Sequence, residues 1–150
     1  MKLQNAPRGA RNERYSMLTI KEYNEDGLAT LVNGGGWDVL MLNYLPRLGH
    51  GGVKQLHKHS ETKETFVLLA GKVVLLTATG KDAPEEISGV AMEQGKVYTV
   101  DTGVWHGNIM SRDAKLLLVE NSYTTADNTF RAELAAEQCE KVYALGEELL

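Results

Sequence analysis

The chain has 150 residues, 43% of them hydrophobic and 24% charged, with a formal net charge of −4. That length supports one domain able to bury its own core, and the mildly acidic balance excludes a general nucleic-acid binder, which needs clustered Lys and Arg. A single cysteine, Cys139, excludes an internal disulfide, and no apolar run approaches the roughly 20 residues of a membrane-spanning helix.

Residues 1–14 are polar and irregular and read as an N-terminal arm. The stretch from Met1 to Met17 carries Lys2, Arg8, Arg11 and Arg14 but no apolar segment of the kind a secretory leader needs. A cytoplasmic protein that binds neither nucleic acid nor membrane is expected. From residue 15 onward strand signals recur at short intervals. Tyr15 to Tyr23 precedes a turn at Asn24 to Gly27, Leu28 to Val32 runs into Gly34 to Gly36, and Trp37 to Leu45 stops at Pro46. Segments 53–59, 65–70, 72–79, 90–92, 96–100, 104–110 and 115–120 complete the series, most of them short, rich in Val, Leu, Thr and aromatics, and separated by Gly, Asp or Asn. This pattern predicts an all-β sandwich or barrel. Residues 81–89 read as an exposed loop between two strands.

The texture changes near the end. Residues 132–150 favour helix, with Ala135, Cys139, Val142, Leu145 and Leu149 at helical spacing, although Gly146 disfavours it. An amphipathic helix of this kind is expected to lie on the outside of the barrel. The organisation is thus an arm over 1–14, a barrel over 15–125, and a C-terminal helical segment over 126–150 packed on the barrel.

Two of the four histidines form His57-Lys58-His59. Residues two apart in a strand point to the same face, about 7 Å apart along the chain, so both imidazoles can converge on one ion while Lys58 points away. Glu64 follows across a short polar turn, Ser60 to Lys63, which can fold the next strand alongside and return its first side chain to the histidines. His106 lies on a later strand and reaches them only if the barrel closes. Three imidazoles and a carboxylate suit Fe, Mn, Ni, Cu or Zn better than Ca or Mg, which prefer all-oxygen shells. One divalent transition metal per chain is expected, and four protein ligands leave two positions of an octahedral ion open.

The run from Gly51 to Gly71 resembles the first motif of the cupin superfamily without a gap: Gly51, five residues, His57-x-His59, four residues, Glu64, six residues, Gly71. The second cupin motif is matched in part by Gly95, five residues, then Asp101-x-Gly103-x-x-His106. Asp101 stands where that family usually has proline, and Met110 where it usually has asparagine. The resemblance covers roughly residues 37–120. It implies a single double-stranded β-barrel of cupin type, jelly-roll-like, with a short C-terminal helix. It also implies His57, His59, Glu64 and His106 as metal ligands, and a homodimer.

Strand alternation extends the inward face. Gln55 shares parity with His57, Phe66 with Glu64, and Asn108 and Met110 with His106, so these four are the candidate lining of a substrate pocket. Trp105 has the opposite parity and is expected outside, against the terminal helix or a second subunit. Arg47, Lys54 and Lys63 could form a cationic rim, His50 is a surface-loop residue, and Cys139 is assigned no role. The function expected first is a small-molecule metalloenzyme of dioxygenase type, in which Glu64 could detach to act as a base. A metal-dependent isomerase, epimerase or lyase acting on a sugar or hydroxy acid needs a proton-shuttling base and often a phosphate-binding cluster, and the sequence holds no Gly-rich phosphate loop, only the scattered cations just named. A non-catalytic binding barrel is the third reading.

Overall fold

The computed structural model describes residues 10–15 and 17–150. Twelve strands and one α-helix follow in chain order: β1 Ala10–Tyr15, β2 Leu18–Tyr23, β3 Leu28–Asn33, β4 Trp37–Asn43, β5 Gln55–His59, β6 Glu64–Ala70, β7 Val73–Ala78, β8 Ile87–Ala91, β9 Val97–Val100, β10 Trp105–Met110, β11 Lys115–Asn121, β12 Thr129–Glu133 and α1 Ala136–Leu149. Ten strands form two antiparallel five-stranded sheets, ordered β12-β5-β10-β7-β8 and β3-β4-β11-β6-β9.

The first sheet is covered on both faces. Its inner side, with Val73, Leu75 and Met110, packs against Leu40, Leu42, Phe66, Leu68, Leu116 and Leu118 of the second sheet. Its outer side, with Leu56, Val74, Leu76, Trp105 and Ile109, packs under Val142 and Leu145 of α1. Central strand β10 is therefore buried at every position. Trp105 lies on the outer side, in one apolar cluster with Val142 and Leu145 of α1, with Lys58 Nζ 4.6 Å from its ring centroid. Gly146 is accommodated in α1 because His50 occupies the space a side chain would need: a Cβ there would lie 2.5 Å from His50 Cδ2. His50 also stacks on Tyr143, with ring centroids 4.2 Å apart. No helix among the described residues is long and apolar enough to cross a membrane.

Three expectations need correction. Residues 10–14, read as irregular arm, belong to β1, which pairs with β2 from Ala10↔Tyr23 to Tyr15↔Leu18, so the strand expected from Tyr15 to Tyr23 begins only at Leu18, with Tyr15 on the other arm of a hairpin. β2 is exposed at Leu18 to Glu22, so Leu18 and Ile20 mark no buried face. The rest of the arm, residues 1–9, lies outside the described residues. The exposed loop expected over 81–89 ends earlier, where Ile87 starts β8 beneath α1. Residues 129–133, placed in the helical segment, form β12 as an edge strand on β5, and the helix begins only at Ala136. A five-residue edge strand with an exposed phenylalanine, Phe130, leaves no periodic signature.

The glycine closing the first motif has a steric role. Gly71 turns the chain between β6 and β7 at φ +69°, and a Cβ there would stand 2.6 Å from the backbone of Ala114. Gly95 has a similar φ of +81° but faces open space. Gly95→Ala should therefore lose about 1–2 kcal/mol of unfolding free energy from the left-handed backbone alone, and Gly71→Ala about 2–4 kcal/mol because backbone must also move. Urea unfolding of both variants checks this, and equal losses would contradict the steric account.

Candidate metal centre

The two sheets meet at one cluster. β5 brings His57 and His59, and β10, its neighbour in the first sheet, brings His106 directly opposite His57. Glu64 opens β6 in the second sheet and reaches across. The polar turn between β5 and β6 makes this crossing possible and is pinned at several points. Ser60 N–H donates to Asn128 O at 2.9 Å, and Asn121 N–H to Thr62 Oγ1 at 3.1 Å. Asn128 Nδ2 donates to Glu61 Oε2 at 3.1 Å and to Tyr123 O at 2.7 Å.

Glu64 Oε2 lies 2.7 Å from His106 Nε2, 3.0 Å from His59 Nε2 and 3.9 Å from His57 Nε2. One donor atom from each residue falls within 4.8 Å of all the others. A transition ion with bonds of about 2.0–2.2 Å holds its donors roughly 3–4 Å apart, so the set needs only small side-chain adjustment to close on one ion. The second hydrogen bonds are arranged accordingly. His106 Nδ1–H donates to Val104 O at 2.8 Å, and His59 Nδ1 is hydrogen-bonded to Thr129 Oγ1 at 2.9 Å. A neutral imidazole committed to a carbonyl through Nδ1–H presents a lone pair at Nε2. The His106 lone pair then faces the Glu64 carboxylate at 2.7 Å, and two acceptors at that distance require a proton or a metal ion between them. The residues fit a metal.

Electrostatics distinguish the members. For Glu64, burial works to raise the pKa, but the contacts with His106, His57 and His59 outweigh it and hold the carboxyl well below the ordinary glutamate range. His57 is pushed below its usual value, first by burial and further by the neighbouring imidazoles, against the opposing pull of Glu64. A deprotonated carboxylate beside a neutral imidazole is the form in which both bind metal.

His57, His59 and Glu64 of the cluster line a cavity of about 820 Å³, within the range of small-molecule sites. Of the four pocket residues expected from parity, Gln55 and Asn108 line this cavity. Phe66 and Met110 sit instead in the core between the sheets, Phe66 with its ring centroid 6.0 Å from that of His106. Lys63 does not line the cavity either and pairs with Asp101 at 3.1 Å.

Three residues that the sequence reading missed are placed here. Thr129 and Arg131, on the unanticipated β12, pair across from His59 and His57 and line the cavity. Glu120 lines it from β11, its Oε2 3.9 Å from His59 Nε2. Burial, the charge of Glu64 and, more weakly, Asp38 raise the Glu120 carboxyl to about 7, against an opposing pull from His59. Its signal was present in the sequence, since Glu120 shares strand parity with the buried Leu116 and Leu118.

No family model matches the chain, and no curated protein is significantly similar to it. Solved structures do match. Pac13 from Streptomyces, described as a unique nucleoside dehydratase, superposes with a TM-score of 0.56 at 12% identity, over 92% of this chain and 97% of that one; a Pac13 variant was solved with uridine. A Klebsiella pneumoniae protein with a double-stranded β-helix domain gives a TM-score of 0.51 at 14% identity over 71% of this chain and 83% of that one. A variant of B. subtilis oxalate decarboxylase gives 0.54 at 14% identity, over 85% of this chain and 31% of that one. The chain has the cupin-type double-stranded β-helix fold, and three histidines and one glutamate, three of the four buried, stand close enough together in it to hold one metal ion.

A stability prediction follows from Glu120. Its carboxyl titrates near 7 in the folded state and near 4.5 when unfolded, so the folded state binds the proton more tightly, and this residue's contribution to stability declines as pH rises from about 4.5 to 7. Glu120→Gln should therefore gain stability relative to the metal-free parent as pH rises through that window, read by urea unfolding of both proteins at pH 5 and pH 8. A difference that is the same at both values would contradict the raised pKa.

Proposed function

We propose that the chain is a metal-dependent enzyme that transforms a small organic molecule by proton transfer, as an isomerase, epimerase or lyase. The observation that carries this reading is Glu120, a half-buried carboxyl lining the same cavity as His57, His59 and Glu64 of the cluster. Dioxygenase chemistry was expected first from the complete ligand set and its open coordination positions; Glu120 adds a proton-shuttling group that the second reading needs.

His57, His59, Glu64 and His106 would hold the metal, which acts there as a Lewis acid on a substrate oxygen. Thr129 and the Val104 carbonyl fix the orientation of His59 and His106. Glu120 is the group left to take a proton from the substrate or return one, at Oε2. It makes no hydrogen bond to another protein group among the described residues, and its pKa near 7 suits a general acid or base at neutral pH. Leu40, Leu42 and Leu118 form an apolar wall that excludes water from the transfer. The structural neighbours described as a dehydratase and a decarboxylase support this class, since both names denote bond cleavage without an oxidant.

The dioxygenase-type reading draws on the same four side chains and on the open positions beside them, and oxygen dependence separates the two. Metal-loaded protein should convert or deuterate members of a hydroxy-acid and sugar panel in D₂O under nitrogen, followed by proton NMR, and Glu120→Gln should slow this by about 100-fold or more, the usual contribution of a general acid or base. Consumption only in air would favour the dioxygenase, and no metal-dependent conversion under either gas would leave a binding module.

A further inference from the structure

The mouth of the cavity carries a charge pattern that the metal centre does not require. Arg131, Arg47 and Lys54 all line it, from β12, the 3₁₀ turn at Pro46–Leu48 and the approach to β5. None of the three has a carboxylate partner among the described residues, whereas Arg11, Lys63, Lys96 and Arg112 are each paired with an acid. The acid nearest to Arg131 in sequence, Glu133, is engaged elsewhere, accepting from Gln55 Nε2 at 3.4 Å. The other charged residues lining the cavity are Glu64, whose charge is taken up by the histidines, and Glu120. A second observation points to a ligand. Asn108 is 5% exposed, lines the same cavity, and its Oδ1 has no hydrogen-bond partner. A buried amide left unsatisfied costs stability unless something fills the site.

We infer that the cavity is built for a small organic acid with an apolar body, its carboxylate held by Arg131 with help from Arg47 and Lys54. Arg131 is the cross-strand partner of His57, so a carboxylate on its guanidinium lies one strand spacing from the cluster, within reach of a molecule whose second oxygen group meets the metal. The planar guanidinium fork matches a carboxylate in two parallel hydrogen bonds. Asn108 receives a hydroxyl or similar donor of the ligand, and Leu40 and Leu118 take its hydrocarbon part. On a chain of net charge −4, a cationic mouth also draws anions to this one opening. This assignment deepens the proposed function and rests on the cluster being the reacting end of the cavity.

Calorimetric titration tests it with four 2-hydroxy acids of growing side chain, glycolate, lactate, 2-hydroxyisocaproate and mandelate, each beside its neutral amide. Metal-loaded protein should bind the acids at least about tenfold tighter than the amides, as charge-assisted hydrogen bonds require, and more tightly as the side chain grows. Arg131→Gln should remove about tenfold for the acids and nothing for the amides, while Asn108→Ala should weaken both alike. Arg131 is exposed on an edge strand, so its replacement leaves the fold intact, which circular dichroism verifies. Absence of binding by every acid, equal binding of acid and amide, or an acid preference that survives Arg131→Gln would overturn the assignment. Metal content is measured on each sample. Wild-type protein without metal would fail the metal reading alone, and the acid-over-amide comparison on that protein would still decide the anion subsite.

Discussion

The structure depends on one carboxylate crossing from one sheet to the other. Glu64 leaves the second sheet at the start of β6 and places a single oxygen among three imidazoles of the first sheet. A buried carboxylate and three buried or half-buried imidazoles would be costly if any member stood alone. Together they satisfy one another, and the short polar turn between β5 and β6 is fixed by hydrogen bonds from Asn121 and to Asn128 so that they meet. The cluster consequently fixes where the two sheets approach and where the cavity can open.

The remaining layers serve this arrangement. On the outer face of the first sheet, Trp105, Leu56 and Ile109 are buried in one apolar cluster with Val142 and Leu145 of α1, which backs the strands that carry the histidines. The inner core of Phe66, Leu68, Met110 and Leu116 fills the barrel on the far side of the cluster. The near side holds the cavity, lined by apolar leucines together with Asn108, Glu120 and Arg131. A site on rigid strands, backed by a packed core and opening to one side, can orient a small molecule against a fixed group.

What could be read from the sequence follows the physics of strand periodicity. His57, His59, Glu64 and His106 lay in short segments of clear parity at a spacing shared with a known motif, so the centre was legible before any coordinates. Gln55 and Asn108 followed from the same parity. Phe66 and Met110 were assigned to the pocket because parity gives the face of a strand but not the depth at which packing ends and the cavity begins. Glu120 was legible in principle, as a charged residue on the buried face of β11. Thr129 and Arg131 were not, because β12 is a short edge strand with an exposed face, and its existence is decided by pairing with β5, which no local pattern records. The hairpin of β1 and β2 escaped for the same reason. The residues that refine the functional reading thus lie where tertiary pairing overrides local pattern.

The central claim is that Glu64 and the three histidines hold one metal ion, and elemental analysis after reconstitution tests it most directly. The wild-type protein, incubated with Fe, Mn, Ni, Cu or Zn, desalted and assayed by mass spectrometry, should retain about one ion per chain of at least one of these metals, while His57→Ala and His106→Ala, each lacking a ligand, should retain far less. Retention below about a tenth of an ion per chain for every metal, or equal retention by the histidine variants, would contradict it.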